Sequence, residues 1–402
     1  MIVENRIRFE KALPVIQQLK QQGYEAYFVG GAVRDYILGR SVYDIDITTS
    51  ASPKEVMHLF RETIPVGIEH GTVIVRYNEE NYEVTTFRKD EMYEDYRHPK
   101  GIQFVRSLEE DLKRRDFTMN ALAMTDEFTI IDLFQGKKDI NNQVIKTVGC
   151  AEKRFQEDAL RIMRAFRFMS QLCFSLSAKT KVAIMKERKN LTFISVERIV
   201  QEMDKLWLGP CVNEALYEME SCDIISLLPG CTFVGEKRKI LQSYRFDKCE
   251  TVEQSWALYI HVLKVQDVEA FLRAYKFSRQ RMKKILVLKE GLALYQMGGL
   301  SDYDRFRLSE EHLFDIVRLH AIISNKNINE ELTREKEKYN QLPIKHIQSL
   351  AITPKEMMDH LKQKPGSWIR HLQKEIVQAI LKGEVENDRT SLKEWMNHWH
   401  QQ

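Results

Sequence analysis

Two runs decide the fold: Phe28-Val29-Gly30-Gly31-Ala32-Val33-Arg34-Asp35 and, shortly after it, Tyr43-Asp44-Ile45-Asp46-Ile47. The first is apolar, breaks at two glycines and resumes with helix-compatible residues. It reads as a strand handing over to a helix. Glycine at that corner lets backbone N–H groups approach a phosphate, and the helix start adds positive potential. The second run reads as a strand over 43–48. Side chains alternate along a strand, so Asp44 and Asp46 face the same way. Close carboxylates repel and need a cation, and oxygen-only ligands favour Mg²⁺ over zinc or copper. Together the runs predict a metal and triphosphate site for nucleotidyl transfer.

An Asp-x-Asp pair alone is weak, because solvated aspartates at a strand end give the same pattern. Three neighbours strengthen it. The Gly-Gly turn lies upstream, Glu83 sits between Tyr82 and Val84 on a later apolar run, and Lys113-Arg114-Arg115-Asp116 brings cations for a triphosphate. Working outward, the spacing predicts helices over 8–22, 32–38, 53–61 and 107–125, and strands over 24–29 and 128–133. Ser52-Pro53 is an N-cap followed by proline at the first helical position. The runs 72–77 and 82–87, joined by Asn78-Glu79-Glu80-Asn81, predict a hairpin. Arg88 to Gly101 is a charged, tyrosine-rich segment. Beyond about residue 150 strand signals almost vanish, and helices are expected over 151–172, 177–189 and 196–207 and repeatedly to the C-terminus.

The chain has 402 residues, 43% hydrophobic and 30% charged, with net charge +3. That length allows two to four domains. The small net charge means that a nucleic acid would be held by a local basic face. Six cysteines, at 150, 173, 211, 222, 231 and 249, form no CxxC pair and are expected to be reduced thiols. No apolar stretch is long enough to span a membrane, and the first residues lack a signal-peptide core, so a cytoplasmic protein is expected. The five tryptophans and the scattered histidines read as packing and surface residues.

The run Arg154-Phe155-Gln156-Glu157-Asp158-Ala159-Leu160-Arg161-Ile162-Met163-Arg164-Ala165-Phe166-Arg167 admits two readings. One is a plain helix with Arg154–Asp158 and Glu157–Arg161 pairs, each worth about 0.2–0.5 kcal/mol. The other places Asp158 and Arg161, three apart, on one face as a base reader. Asp accepts from an exocyclic amino group and Arg donates to ring acceptors. C and A both present that amino group, whereas G and U present a carbonyl there and are rejected. Arg164 and Arg167 drift around the helix, toward phosphates, packing or acids.

Gly30-Gly31-Ala32-Val33-Arg34-Asp35, Asp44-Ile45-Asp46, Arg114-Arg115-Asp116-Phe117-Thr118-Met119-Asn120-Ala121, Asp132 to Gly136, Glu157-Asp158-Ala159-Leu160-Arg161 and Glu197-Arg198-Ile199-Val200-Gln201-Glu202 occur in that order. The set resembles the class II CCA-adding enzymes, tRNA nucleotidyltransferases of the polymerase β superfamily, in their bacterial branch without an HD domain. The resemblance implies an α+β nucleotidyltransferase head of a small sheet plus helices, followed by an elongated all-α neck, body and tail. It sets these at 1–148 (head), 149–208 (base-recognising neck), 209–300 (body) and 301–402 (tRNA-binding tail). It implies Asp44 and Asp46 as Mg²⁺ ligands and catalytic residues, with Glu83 as third acid. Gly31, Arg34, Arg115, Asp158, Arg161, Arg164 and Arg167 become nucleotide-binding residues. The implied activity is addition of C, C and A to tRNA 3′ ends from CTP and ATP, with the tRNA held by its acceptor and T arms. No membrane partner is implied, and a homodimer is left open. Poly(A) polymerases and relatives adding only CC or only A share these motifs. The segment Arg88–Pro99, said to be absent from CC-only relatives, favours the full product. A non-catalytic RNA-binding descendant is the alternative from another class, and the intact acidic residues argue against it.

Overall fold

A computed structural model describes residues 2–90, 102–230 and 241–400. The chain divides into two compact units, one of residues 1–242 with 274–276 and one of 243–273 with 277–402. The first opens with α1 (Ile2–Gln21), β1 (Ala26–Val29), α2 (Gly31–Ile37), β2 (Asp46–Thr49) and α3 (Pro53–Leu59). Then follow β3 (Thr63–Gly67), β4 (Thr72–Tyr77), β5 (Glu80–Thr86), β6 (Arg88–Asp90), β7 (Ile102–Phe104) and α4 (Leu108–Lys113). Next come β8 (Leu122–Met124), β9 (Ile130–Asp132), α5 (Gly136–Asn141), β10 (Val144–Ile145), α6 (Ala151–Glu157) and α7 (Leu160–Leu172). The unit continues with β11 (Ser175–Leu176), α8 (Ala178–Glu187), α9 (Val196–Trp207) and α10 (Val212–Ser221).

Seven strands make one sheet in the order β3-β4-β5-β2-β1-β8-β9. All neighbours are antiparallel except β2 and β5, which run parallel. The Phe9, Ala12, Ile16 and Leu19 side chains of α1 recur at helical spacing and are fully buried, with Phe9 edge-on to Phe28 of β1 at 4.9 Å. The β4–β5 turn needs only Asn78 and Glu79, both with positive φ, as a tight two-residue hairpin does. α3 starts with a full capping box between Ser52 and Glu55, as Ser52-Pro53 predicts.

Four local expectations are corrected. β2 begins at Asp46 and not at 43, because its ladder with β1 ends at the pair Val29–Asp46, where Gly30 turns away with φ 76°. Ahead of the strand Ile45 is buried, but Tyr43 and Asp44 are both exposed, so the alternation expected from 43 does not extend there. The helix expected over 107–125 stops at Lys113, and Leu122–Met124 is a fully buried strand against β1, whose unbroken apolar run carries no period to distinguish it. The helix expected over 151–172 breaks at Asp158, which has extended backbone (φ −139°, ψ 103°). Its Oδ1 accepts the Leu160 N–H at 3.0 Å, across the N-cap position Ala159 of α7. Finally, Cys173 and Cys211 form a disulfide; they end α7 and precede α10, and their separation of 38 residues gave no sequence signal.

The second unit is helical: α11 (Val252–Val262), α12 (Val268–Ala274), α13 (Arg279–Gln296), α14 (Asp302–Arg307), α15 (Glu310–Ile323), α16 (Ile328–Asn340), α17 (Pro354–Leu361), α18 (Trp368–Leu381) and α19 (Arg389–His400). One core gathers Leu372, Ile376 and Val377 of α18 with Leu392 and Met396 of α19, and Trp368, Trp395 and Trp399 pack against it. Trp256 is fully buried, as its reading as packing requires. Among the described residues no helix is long and apolar enough to cross a membrane.

Candidate nucleotide and metal site

β2 and β5 run parallel with Asp46 level with Glu83, so the two carboxylates share a sheet face. Burial, then the charge of Glu83, raises the Asp46 carboxyl to about 6; Arg115 opposes the rise and Asp44 adds to it. Glu83 and Asp44 both disfavour the charged form of Asp46, a repulsion that a cation would relieve. Among the described residues no three His, Cys, Asp or Glu side chains form a ready-made metal cluster. Mg²⁺ does not require one, since it is commonly held by one or two carboxylates, with substrate phosphates and water completing the octahedron. The acids therefore fit a divalent ion that arrives with a nucleotide.

Asp46 forms part of the wall of a cavity of about 510 Å³. Gly30, Gly31 and eight arginines also line it: Arg34, Arg88, Arg114, Arg115, Arg161, Arg164, Arg167 and Arg198. Among the described residues three aspartates face them, Asp46, Asp116 and Asp158, so the described lining is rich in positive charge and suited to a polyanion. Asp44 and Glu83 do not line it. A side chain at Gly30 would meet Arg115 Nη1 at 3.1 Å, and the positive φ there excludes most other residues; glycine lets the guanidinium lie against the turn. Arg34 is fixed by Asp35 at 2.9 and 3.0 Å and by Asn120 Oδ1 at 2.7 Å.

The segment joining α6 and α7, α7 itself and α9 also line the cavity. Asp158 and Arg161 do not share one helix face, because the chain breaks between them. Asp158 Oδ2 accepts from Arg198 Nη2 at 3.2 Å. Arg161 donates to Glu157 at 2.8 Å and to the backbone carbonyls of Arg154 and Arg114 at 3.2 and 2.9 Å. The expected Glu157–Arg161 pair is thus present, whereas Arg154 pairs with Glu157 at 2.8 Å. Pairing does not remove Arg161 from the cavity, since a guanidinium has five donors.

Arg164 and Arg167 are held by acids. Arg164 donates to buried Asp116 at 2.8 Å, and Arg167 lies 2.7 Å from Glu202 of α9. Burial works to raise the Asp116 carboxyl, but Arg164 and the Asn120 hydrogen bond hold it far below the usual range. Burial, then Arg164, lowers Arg167 to about 10. The guanidiniums of Arg34, Arg164 and Arg167 lie 5.1, 5.5 and 4.1 Å from the Phe168 ring centre, within cation–π reach.

The sequence reading offered Arg114 as a triphosphate cation, but it missed Arg88, Asp116, Asn120, Leu160, Phe168 and Arg198 as cavity residues. All but Arg88 and Phe168 stand inside the quoted motifs, so the signal was present; what hid them was the folding of remote segments onto one wall. Residues 91–99 of the segment Arg88–Pro99 lie outside the described residues.

Three family models match the chain: "Poly A polymerase head domain" over 26–146, "Probable RNA and SrmB- binding site of polymerase A" over 173–232 and "tRNA nucleotidyltransferase domain 2 putative" over 247–396. The chain is 43% identical over 392 residues to a CCA-adding enzyme of Bacillus cereus strain Q1, covering 97% of this chain and 98% of that protein. It matches a CCA-adding enzyme of Bacillus anthracis with the same identity and coverage. It also superposes on the crystal structure of the Bacillus stearothermophilus CCA-adding enzyme in complex with CTP, with TM-score 0.88, 40% identity and 98% of each chain covered.

Proposed function

The chain belongs to the CCA-adding enzymes, and from that premise we propose how its own residues perform the reaction. The enzyme adds C, C and A to the 3′ end of tRNA from CTP and ATP without a nucleic-acid template, and releases pyrophosphate. The observation that supports a residue-level account is one cavity lined by Asp46, Asp158 and several arginines together.

Asp44 and Asp46 hold a divalent ion, which we take to be Mg²⁺, with Glu83 as third acid. When bound, such ions lower the pKa of the attacking 3′ hydroxyl and neutralise charge on the departing pyrophosphate. Arg34 and Arg115, with the Gly31 backbone, orient the triphosphate so that its α-phosphorus faces the 3′ oxygen. Arg34 is pre-set by Asp35 and Asn120, so little side-chain freedom is lost on binding.

Asp158 accepts the amino group of C or A, and Arg161 donates to the ring acceptors. Asp158 exchanges its contact with Arg198 for the base, or uses the free capacity of Oδ2 beside it. Arg164 and Arg167, tied to Asp116 and Glu202, hold this wall in place and add positive charge. On this account residues 1–148 supply the chemistry and 149–208 the base readout, while 209–300 and 301–402 bind the acceptor and T arms. A tRNA-processing role agrees with a cytoplasmic location.

The test uses tRNA ending before CCA. CTP alone should add two C residues and stop, ATP alone should add nothing, and both together should give one complete CCA end. Runs of A on any RNA would show a poly(A) polymerase instead, and no incorporation would show a non-catalytic RNA-binding protein.

A further inference from the structure

Asp111 of α4 is fully buried and has no part in the chemistry above. Its Oδ1 accepts from Arg114 Nε at 2.9 Å and Nη2 at 2.7 Å, and from the Arg88 backbone N–H at 3.4 Å. Its Oδ2 accepts from Arg115 Nη2 at 3.3 Å and from the Thr48 hydroxyl at 3.4 Å. The donors come from three places: β2 two residues beyond Asp46, the first residue of β6, and the run that follows α4. Burial works to raise the Asp111 carboxyl, but Arg115 and Arg114 outweigh it and hold it below the ordinary carboxylate range.

The two arginines are neighbours in sequence and repel each other. A long side chain facing a cavity would otherwise sample many rotamers. A carboxylate that takes a two-donor fork from one and a single donor from the other removes both problems. It leaves the other donors of both for the cavity. Arg115 Nε is buried with no hydrogen-bond partner among the described residues. Arg115 also acts electrostatically on Asp46, so its position couples the phosphate wall to the metal wall.

We propose that Asp111 is a positioning residue for the incoming nucleotide: it anchors Arg114 and Arg115 to the strand that carries Asp46, and so sets where the triphosphate lies relative to the metal. The proposal rests on the reading of the cavity as the nucleotide site. It acts on phosphates and not on bases, so CTP and ATP are affected alike and the rejection of UTP and GTP is untouched.

The experiment compares wild type, Asp111→Asn, Arg115→Ala and the double variant in the full-length enzyme. It measures KM for CTP, ATP and tRNA, kcat, and inhibition by CTP analogue and by CMP. Asp111→Asn keeps the shape and one acceptor but loses the charge. The expected result is a rise in KM for both nucleotides on the order of tenfold, with KM for tRNA unchanged. Inhibition by CMP should change far less than inhibition by the triphosphate analogue. In the Arg115→Ala background the same substitution should have little further effect. A fall in kcat with both nucleotide KM values unchanged marks a purely structural role and overturns the proposal, as does full additivity with Arg115→Ala. If Arg115→Ala itself leaves nucleotide KM unchanged, the cavity reading fails, and Asp111 with it. Should Asp111→Asn not fold, Arg114→Lys keeps the charge but cannot form the fork. It should show the same phosphate-selective loss, and its absence would overturn the proposal.

Discussion

At Asp46, burial and the neighbouring Glu83 raise the carboxyl from 3.8 to about 6. A raised carboxyl favours the fold while it is protonated, so this group's contribution declines as pH climbs from about 4 through about 6. A divalent ion reverses the balance, because it binds the carboxylate and displaces the proton. Metal-free enzyme should therefore show an acid limb near pH 6 in its affinity for Mg²⁺, and the activity limb should move to lower pH as Mg²⁺ is raised. The check is kcat/KM for CTP against pH at two metal concentrations; a limb that ignores metal would remove Asp46 from the metal site. The acid pair was legible as a motif, but strand alternation does not account for it, since only Asp46 lies in the ladder and Asp44 acts on it from outside by charge. The electrostatic link of Asp46 to Arg115 was not legible, since it spans nearly seventy positions of chain and depends on Gly30 leaving room.

The break between α6 and α7 changes what the second set of candidates does. Read as one helix, Asp158 and Arg161 sit a step of three apart on one face. In the structure Asp158 accepts from the Leu160 N–H just ahead of α7 and pairs with Arg198 of α9, while Arg161 is tied to Glu157 and two backbone carbonyls. The pattern hid this because nothing between Glu157 and Leu160 is a glycine or proline, and an aspartate can end one helix and start the next. The 107–125 region misled for a related reason: a three-residue buried strand is too short to show a period. By contrast α9 was legible to the residue, since its apolar positions recur at helical spacing, although Glu202 is buried among them and pairs with Arg167. Base choice remains the property to measure here. Asp158→Ala removes the acceptor for the amino group of C and A and the anion facing the carbonyl of U and G. Discrimination should fall by about ten- to a hundredfold, the worth of roughly 1–3 kcal/mol. Incorporation of CTP, ATP, UTP and GTP on matched tRNA ends reads it. Wild-type rejection of UTP and GTP by the variant would make Asp158 a structural pairing residue only.

Across the whole molecule the division of labour follows composition. The first unit concentrates the sheet, the acids and the arginine cavity, and the second is built of helices packed on apolar cores such as that of α18 and α19. The change from a mixed to a helical chain was legible because strand signals fade near residue 150, whereas the boundary near residue 242 was not, since helices lie on both sides of it. The disulfide between Cys173 and Cys211 was not, because two cysteines far apart in sequence pair only once α7 and α10 are packed. The claim that binds these parts together is that the metal acids drive transfer while RNA is gripped elsewhere. It is tested by single-turnover addition of C and A to truncated tRNA in Mg²⁺, with tRNA binding followed in parallel, for wild type and Asp46→Ala. The account predicts loss of both additions by on the order of a thousandfold or more, with tRNA affinity within about twofold of wild type, since a neutral residue at a metal site touches no RNA grip. Turnover by Asp46→Ala comparable to wild type would contradict it.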